Sequence, residues 1–267
     1  MKISFSTLSC PRWSFGEITA AAYDLQYNGI EIRGVGADIS VPSVPEFGQD
    51  QLPKTVEKLQ SLSLCIPCLD SECLLYQQEN FSRTQQEVKT YVDLAQRLSS
   101  PYVRVFAAPP VPQPMGVVDE ALIREHAQEL SKYAGPKGIT LLLETHGVWA
   151  DSKKLARLVS AIASPSIGIL WDVHHPYRFM GESPEETFEN IRPFLKHVHL
   201  KDSLWEGERI RYKMAGQGDL PLSRFVHLLR NSGYEGFYSL EWVKRWDTTL
   251  EEPGIVLAHF PNYIRNL

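Results

Sequence analysis

Glu144, Asp172, His199 and Glu241 each lie at or near the end of a short apolar run: Ile-Thr-Leu-Leu-Leu-Glu, Ile-Gly-Ile-Leu-Trp-Asp, Lys-His-Val-His-Leu and Gly-Phe-Tyr-Ser-Leu-Glu. An apolar run with a turn signal before it and a polar loop after it reads as a buried parallel strand whose last inward position is polar. Three carboxylates and one imidazole make a mixed oxygen and nitrogen donor set suited to one divalent metal ion, with Mn²⁺ the first choice and Mg²⁺, Co²⁺ and Zn²⁺ the alternatives. A charge on the end of a buried strand costs on the order of several kcal/mol unless it is paired. Such an ion would polarise a sugar carbonyl and hold the resulting cis-enediolate. Glu144 and Glu241 are then the natural pair to remove and return the proton, catalytic as well as ligating.

The neighbours of these four suggest who meets the substrate. His174 and His175 follow Asp172, and His175 is expected to face the pocket. His146 follows Glu144 in the tight polar loop Glu-Thr-His-Gly. His197, His199 and Lys201 alternate and so share one side of a strand. His199 is the one placed for the metal, with His197 deeper as a hydrogen-bonded core residue. Lys201 offers a cation to an alkoxide or phosphate oxygen, or else pairs with Asp202 or Asp172. Arg33, Asp70 and Arg104 are further strand-end candidates; the two arginines either contact substrate or bridge to a loop acid. Trp13, Phe106 and Trp149 either wall the pocket or simply pack.

Positioning these groups requires strands and helices in alternation. Strands are expected at Lys2 to Ser6, Gly29 to Arg33, Leu64 to Asp70, Tyr102 to Ala107, Gly138 to Glu144, Ile167 to Asp172, His197 to Lys201 and Gly236 to Glu241. Helical patterns lie at Gly16 to Tyr27, Gln51 to Ser61, Phe81 to Leu98 and Asp119 to Ala134. Four more lie at Ser152 to Ile162, Pro184 to Arg192, Pro221 to Asn231 and Pro253 to Tyr263. Ser183-Pro184-Glu185-Glu186 is a helix start, with a capping hydroxyl, a first-turn proline and acidic residues at the positive end of the dipole. Asn28-Gly29 and Gly135-Pro136-Lys137-Gly138 stop one helix and start the next strand. Eight strand–helix pairs with short connections imply a single (β/α)₈ TIM barrel spanning residues 1–267. Gly34-Val35-Gly36 lacks the third glycine of a dinucleotide fingerprint.

Composition narrows the function classes. Across 267 residues, 43% hydrophobic and 22% charged side chains are ordinary for a globular protein. A net charge of −5 and no basic stripe argue against nucleic acid as partner. The start Met-Lys-Ile-Ser-Phe-Ser-Thr-Leu-Ser-Cys does not read as a signal peptide and no apolar run reaches membrane length, so a cytoplasmic protein with no membrane partner is expected. Cys65-Ile-Pro-Cys68 has CxxC spacing but no second pair, so Cys10, Cys65, Cys68 and Cys73 are expected to be buried, reduced thiols.

With these motifs assembled, the chain resembles the xylose isomerase-like TIM-barrel superfamily, which holds sugar isomerases, ketose 3-epimerases, hydroxypyruvate isomerases, inosose isomerases and dehydratases, and endonuclease IV. The resemblance runs through Gly-Ile-Glu-Ile-Arg, Glu-Thr-His-Gly, Trp-Asp-Val-His-His, His-Val-His-Leu-Lys-Asp, Gly-Gln-Gly-Asp-Leu-Pro and Tyr-Ser-Leu-Glu-Trp. It implies Glu144, Asp172, His199 and Glu241 as metal ligands, the two glutamates as proton exchangers, and His175 as a contact to a substrate oxygen. It further implies that Gly216-Gln217-Gly218 turns the loop before the last helix–strand pair. Where ketose 3-epimerases carry an Arg pair before that turn, this chain has Tyr212 and Lys213, which makes Lys213 a substrate-binding candidate. Where they carry a further Glu six residues beyond the first ligand, it has Ala150. The extra ligands of the endonuclease IV metal cluster are not evident. The activity implied is a metal-dependent sugar or polyol-ketone isomerase or epimerase. The alternatives are a dehydratase or lyase acting on an inosose-like or 3-keto-glycoside substrate, and a non-catalytic sugar-binding barrel. A small sugar is the expected partner, and a homodimer is a possible assembly.

Overall fold

The computed structural model describes residues 1–267. In chain order the regular elements begin with β1 (Lys2–Ser6), α1 (Phe15–Asp24), β2 (Gly29–Glu31), α2 (Leu52–Ser61), β3 (Cys68–Leu74) and α3 (Phe81–Leu98). They continue with β4 (Tyr102–Phe106), α4 (Glu120–Ala134), β5 (Thr140–Glu144), α5 (Ser152–Ile162), β6 (Ile167–Asp172) and α6 (Pro184–Ile191). The last are β7 (Leu195–Leu200), β8 (Asp202–Glu206), β9 (Arg209–Lys213), α7 (Leu222–Asn231), β10 (Phe237–Leu240) and α8 (Pro253–Arg265). Eight parallel strands with helices between them form a nearly closed (β/α)₈ barrel, in the order β2-β1-β10-β7-β6-β5-β4-β3. No helix is long and apolar enough to cross a membrane.

Local chemistry explains the helix boundaries. Ser14 and Glu17 form a reciprocal capping box at the start of α1. Asp119, Asp151 and Ser183 each accept backbone N–H groups at the starts of α4, α5 and α6. Each helix buries one stripe, as in α5, where Leu155, Leu158, Val159 and Ile162 are buried.

The chain divides into two compact halves, residues 1–67 with 198–267, and residues 68–197. In the first, β10 pairs with β1 and with β7, which puts Ser4, Ser239 and His199 in register. In the second, β3, β4, β5 and β6 pair in sequence, with Asp70 opposite Arg104, Arg104 opposite Leu142, and Glu144 opposite Leu170. Cys68, Leu142 and Leu170 form a buried apolar cluster. Alternation along the strands then sets Asp70, Glu144 and Asp172, each two positions further on, on that same face towards the strands' carboxyl ends.

Several expectations are corrected. Strand β3 starts at Cys68 rather than Leu64, because Pro67 has no N–H to give a ladder. Strand β2 stops at Glu31, and Gly34, at φ +101°, turns the chain away. The hairpin β8–β9 is additional to the eight expected strands; it pairs antiparallel from Asp202 with Lys213 to Glu206 with Arg209. Cys65 is exposed, not buried, since it alternates between the buried Leu64 and Ile66. All four thiols are free, and burial pushes Cys10 and Cys73 up to about 12.

Candidate active site

In residues 68–197 the site is built around one guanidinium. Arg104 Nε lies 3.7 Å from Asp70 Oδ1 and 3.7 Å from Glu144 Oε2, all three nearly fully buried. Its Nη1 donates to Ser71 O at 3.1 Å, and its plane lies 4.0 Å over the Phe106 ring. Both salt bridges involve acids on neighbouring strands, so Arg104 is a partner to Glu144 rather than a loop bridge.

Asp172 is fixed at both ends. Thr145 Oγ1 accepts the Asp172 N–H at 2.9 Å and donates to the Asp172 carbonyl at 3.0 Å, tying the ends of β5 and β6 together. The carboxylate accepts the His174 N–H at 2.8 Å and has His175 Nε2 at 3.3 Å. A wide helical turn, Pro176–Met180, carries Phe179 back onto His175, where the rings stack at 5.8 Å. His146 is half-buried and meets His175 edge-on at 4.9 Å. Trp149 is core, with its Nε1 donating to Ala107 O at 2.9 Å, so it does not wall a pocket.

The other half places its groups on β2, β7 and β10. His199 is fully buried, with Nε2 2.5 Å from Glu31 Oε1 and Nδ1 3.6 Å from Glu241 Oε1. Lys201 Nζ is ion-paired to Glu241 Oε2 and lies 5.9 Å over the Tyr212 ring. Glu241 is thus a partner of Lys201 beyond those the sequence suggests, a substrate oxygen or else Asp202 or Asp172. Asp202 instead accepts the backbone N–H groups of Gly216, Gly218 and Leu220 at 2.9–3.2 Å, together with that of Ser203. Burial pushes its carboxyl above the ordinary range, against the pull of those four donors. Arg33 is buried beside the Trp246 ring, 5.9 Å away, and donates to Ile39 O at 3.4 Å. Lys213 is half-buried at the hairpin's end, 3.9 Å from Glu206. Trp13 is half-buried ahead of α1.

Side chains that could hold a metal ion include Glu144 and Asp172 in residues 68–197 and His199 and Glu241 in the other half, the four expected from sequence. Glu31, which lies in Gly-Ile-Glu-Ile-Arg but is not among the sequence candidates, is a further one. Its signal was an acidic residue between two isoleucines in Gly-Ile-Glu-Ile-Arg, a buried strand with a charge inside it.

These elements match a known family. Residues 19–259 fit the model of the xylose isomerase-like TIM barrel, and the chain belongs to that family. Fructoselysine 3-epimerase of Shigella flexneri is 23% identical over 265 residues, covering 96% of this chain and 94% of that protein. Among solved structures, the probable 3-DHS dehydratase AsbF of Bacillus anthracis superposes with a TM-score of 0.82 at 19% identity, over 100% of this chain and 99% of that one. The IolI protein with a bound zinc atom superposes with a TM-score of 0.77 at 18% identity, over 99% and 96%. At such identities the structural likeness shows the fold alone.

Proposed function

We propose that this protein moves a proton at a carbon beside the carbonyl of a small sugar or sugar-derived ketone, as a divalent-metal-dependent isomerase or epimerase. The observation that carries this reading is the donor set Glu144, Asp172, His199 and Glu241, all buried and each at or beside the carboxyl end of its own parallel strand. Three carboxylates and an imidazole fit a divalent ion, Mn²⁺ first and Mg²⁺, Co²⁺ or Zn²⁺ as alternatives. When bound, such an ion supplies Lewis-acid polarisation of a carbonyl oxygen.

The rest of the work falls to the chain's own side chains. Glu144 and Glu241 take up and return the proton on carbon. Arg104 aims the Glu144 carboxylate and Lys201 aims that of Glu241. His175, seated on Asp172 and stacked on Phe179, presents a ring nitrogen to a substrate oxygen, with His146 beside it. Arg33, Lys213 and Trp13 complete the substrate's surroundings. A sugar substrate is supported by the full-length likeness to a protein named as a fructoselysine epimerase.

A second reading keeps proton removal but ends in loss of water from the adjacent carbon. It is supported by the 27% identity of a 130-residue stretch to inosose dehydratase of Bacillus thuringiensis. Incubation with a panel of ketoses and Mn²⁺ in D₂O, followed by ¹H NMR, separates the two. Deuterium at the carbon beside the carbonyl with the skeleton retained is the expected result, and a new alkene signal selects the dehydratase. A wild-type protein that binds no divalent ion overturns both.

A further inference from the structure

Glu31 is fully buried inside the first half of the molecule, yet stands outside the four-residue donor group. Its Oε1 is 2.5 Å from His199 Nε2, and its Oε2 accepts the Ser239 hydroxyl at 2.6 Å. The strand order β2-β1-β10-β7 leaves two strands between Glu31 and His199. The side chain can reach across because the intervening inward positions are small. Ser4 on β1 and Ser239 on β10 are both fully buried and in register with His199. A leucine at either would occupy the path.

An ionised carboxylate can only accept hydrogen bonds, so its contact with Nε2 requires the proton to sit there. In a neutral imidazole the other nitrogen, Nδ1, then carries the lone pair. That is the atom facing Glu241 Oε1 at 3.6 Å. Ser239 holds the second carboxylate oxygen, so Glu31 cannot rotate without losing its contact to His199 or to Ser239. We propose that Glu31 is the positioning residue that selects the Nε2–H tautomer of His199 and thereby commits Nδ1 as the ligand atom for the divalent ion. The assignment rests on the metal-dependent reading above, but half of it is testable in metal-free protein.

The test has two readouts. Long-range ¹H–¹⁵N correlation spectra of the metal-free wild type, with His199 assigned by difference from His199→Gln, should show a neutral ring protonated at Nε2 only. In Glu31→Gln the carboxamide can donate as well as accept, so the spectrum should show both tautomers. Zn²⁺ affinity, measured by competition with a fluorescent chelator, should fall about 10–100-fold in Glu31→Gln, the usual effect of losing a carboxylate behind a ligating histidine. Ser239→Ala should lower it less and leave the tautomer in place, and it keeps the affinity test open if Glu31→Gln does not fold. A wild-type His199 protonated at Nδ1 or at both nitrogens overturns the assignment, as does a folded Glu31→Gln with unchanged tautomer and affinity. If the wild type shows the expected tautomer but binds no Zn²⁺, the metal-dependent reading fails and Glu31 keeps only its hold on the ring.

Discussion

In residues 68–197 a single guanidinium stands 3.7 Å from two acids, Asp70 and Glu144, whereas in the other half Glu241 is held by an ammonium, Lys201, with the His199 ring on its other oxygen. The two cations are not equivalent. A guanidinium is planar, permanently charged and forked, so Arg104 can serve both acids from one fixed place, braced by Ser71 and Phe106. An ammonium is a compact charge on a flexible stem that can follow a substrate oxygen. The geometry thus gives Glu144 a rigid seat and Glu241 an adjustable one. On the proposed function, architecture would fall to the Arg104 side and response to substrate to the Lys201 side.

The comparison can be broken at its strongest point first. Glu144→Gln and Glu241→Gln should each lower turnover by about 10²–10⁴-fold, the range for loss of a general acid or base, as read by deuterium incorporation into the substrate found active. If only one of them does so, a single carboxylate handles both proton transfers. Arg104→Met leaves two buried carboxylates without their shared cation and should cost about 3–5 kcal/mol in urea unfolding. Lys201→Met should reduce stability less, by about 1–3 kcal/mol, while lowering kcat, because a flexible ammonium braces its surroundings less than a forked guanidinium set between two acids. Equal stability losses in these two variants would erase the contrast between seats. Asp202→Asn should cost about 1–3 kcal/mol, since a neutral amide replaces a charge that accepts four backbone N–H groups. Smallest of all, Cys65→Ser should leave stability within about 0.5 kcal/mol. Cys65 alone should react rapidly with a thiol reagent at pH 8, since Cys10, Cys68 and Cys73 are buried and two of them are pushed up to about 12.

The βα rhythm was legible because buried parallel strands and amphipathic helices differ in length and period. Strand β1, strand β6, helix α3 and helix α5 fall where the sequence pattern puts them, and each of the four ligand candidates lies at or beside the carboxyl end of a parallel strand. What escaped has physical reasons. Glu31 closes β2, but another isoleucine follows it in sequence, so no strand-to-loop change marks it, and its partners are 168 and 208 residues away in the chain. The Lys201–Glu241 pair spans 40 residues, so nothing local announces it either. Hairpin β8–β9 is short and mostly polar, with Gly207 at φ +62° supplying its turn; Arg-Ile-Arg-Tyr-Lys alternates but Asp-Ser-Leu-Trp-Glu does not, so only one of its two strands carries the pattern. Trp149 was ambiguous for the opposite reason, since an indole serves a core and a binding wall equally well until its N–H partner is known.

Asp202 has a wider consequence. One carboxylate marks where the chain leaves β7 for the hairpin and, through Gly216, Gly218 and Leu220, where it returns towards α7. Gly218 cannot take a side chain there, because an added Cβ would sit 2.1 Å from that carboxylate. The segment from Asp202 to Leu220 is therefore clasped at its neck like a purse, and the hairpin tip inside the clasp, away from Tyr212 and Lys213, can lengthen, shorten or change composition without disturbing Lys201 behind it. Grafting this stretch between relatives should succeed only when the aspartate and the glycines travel together.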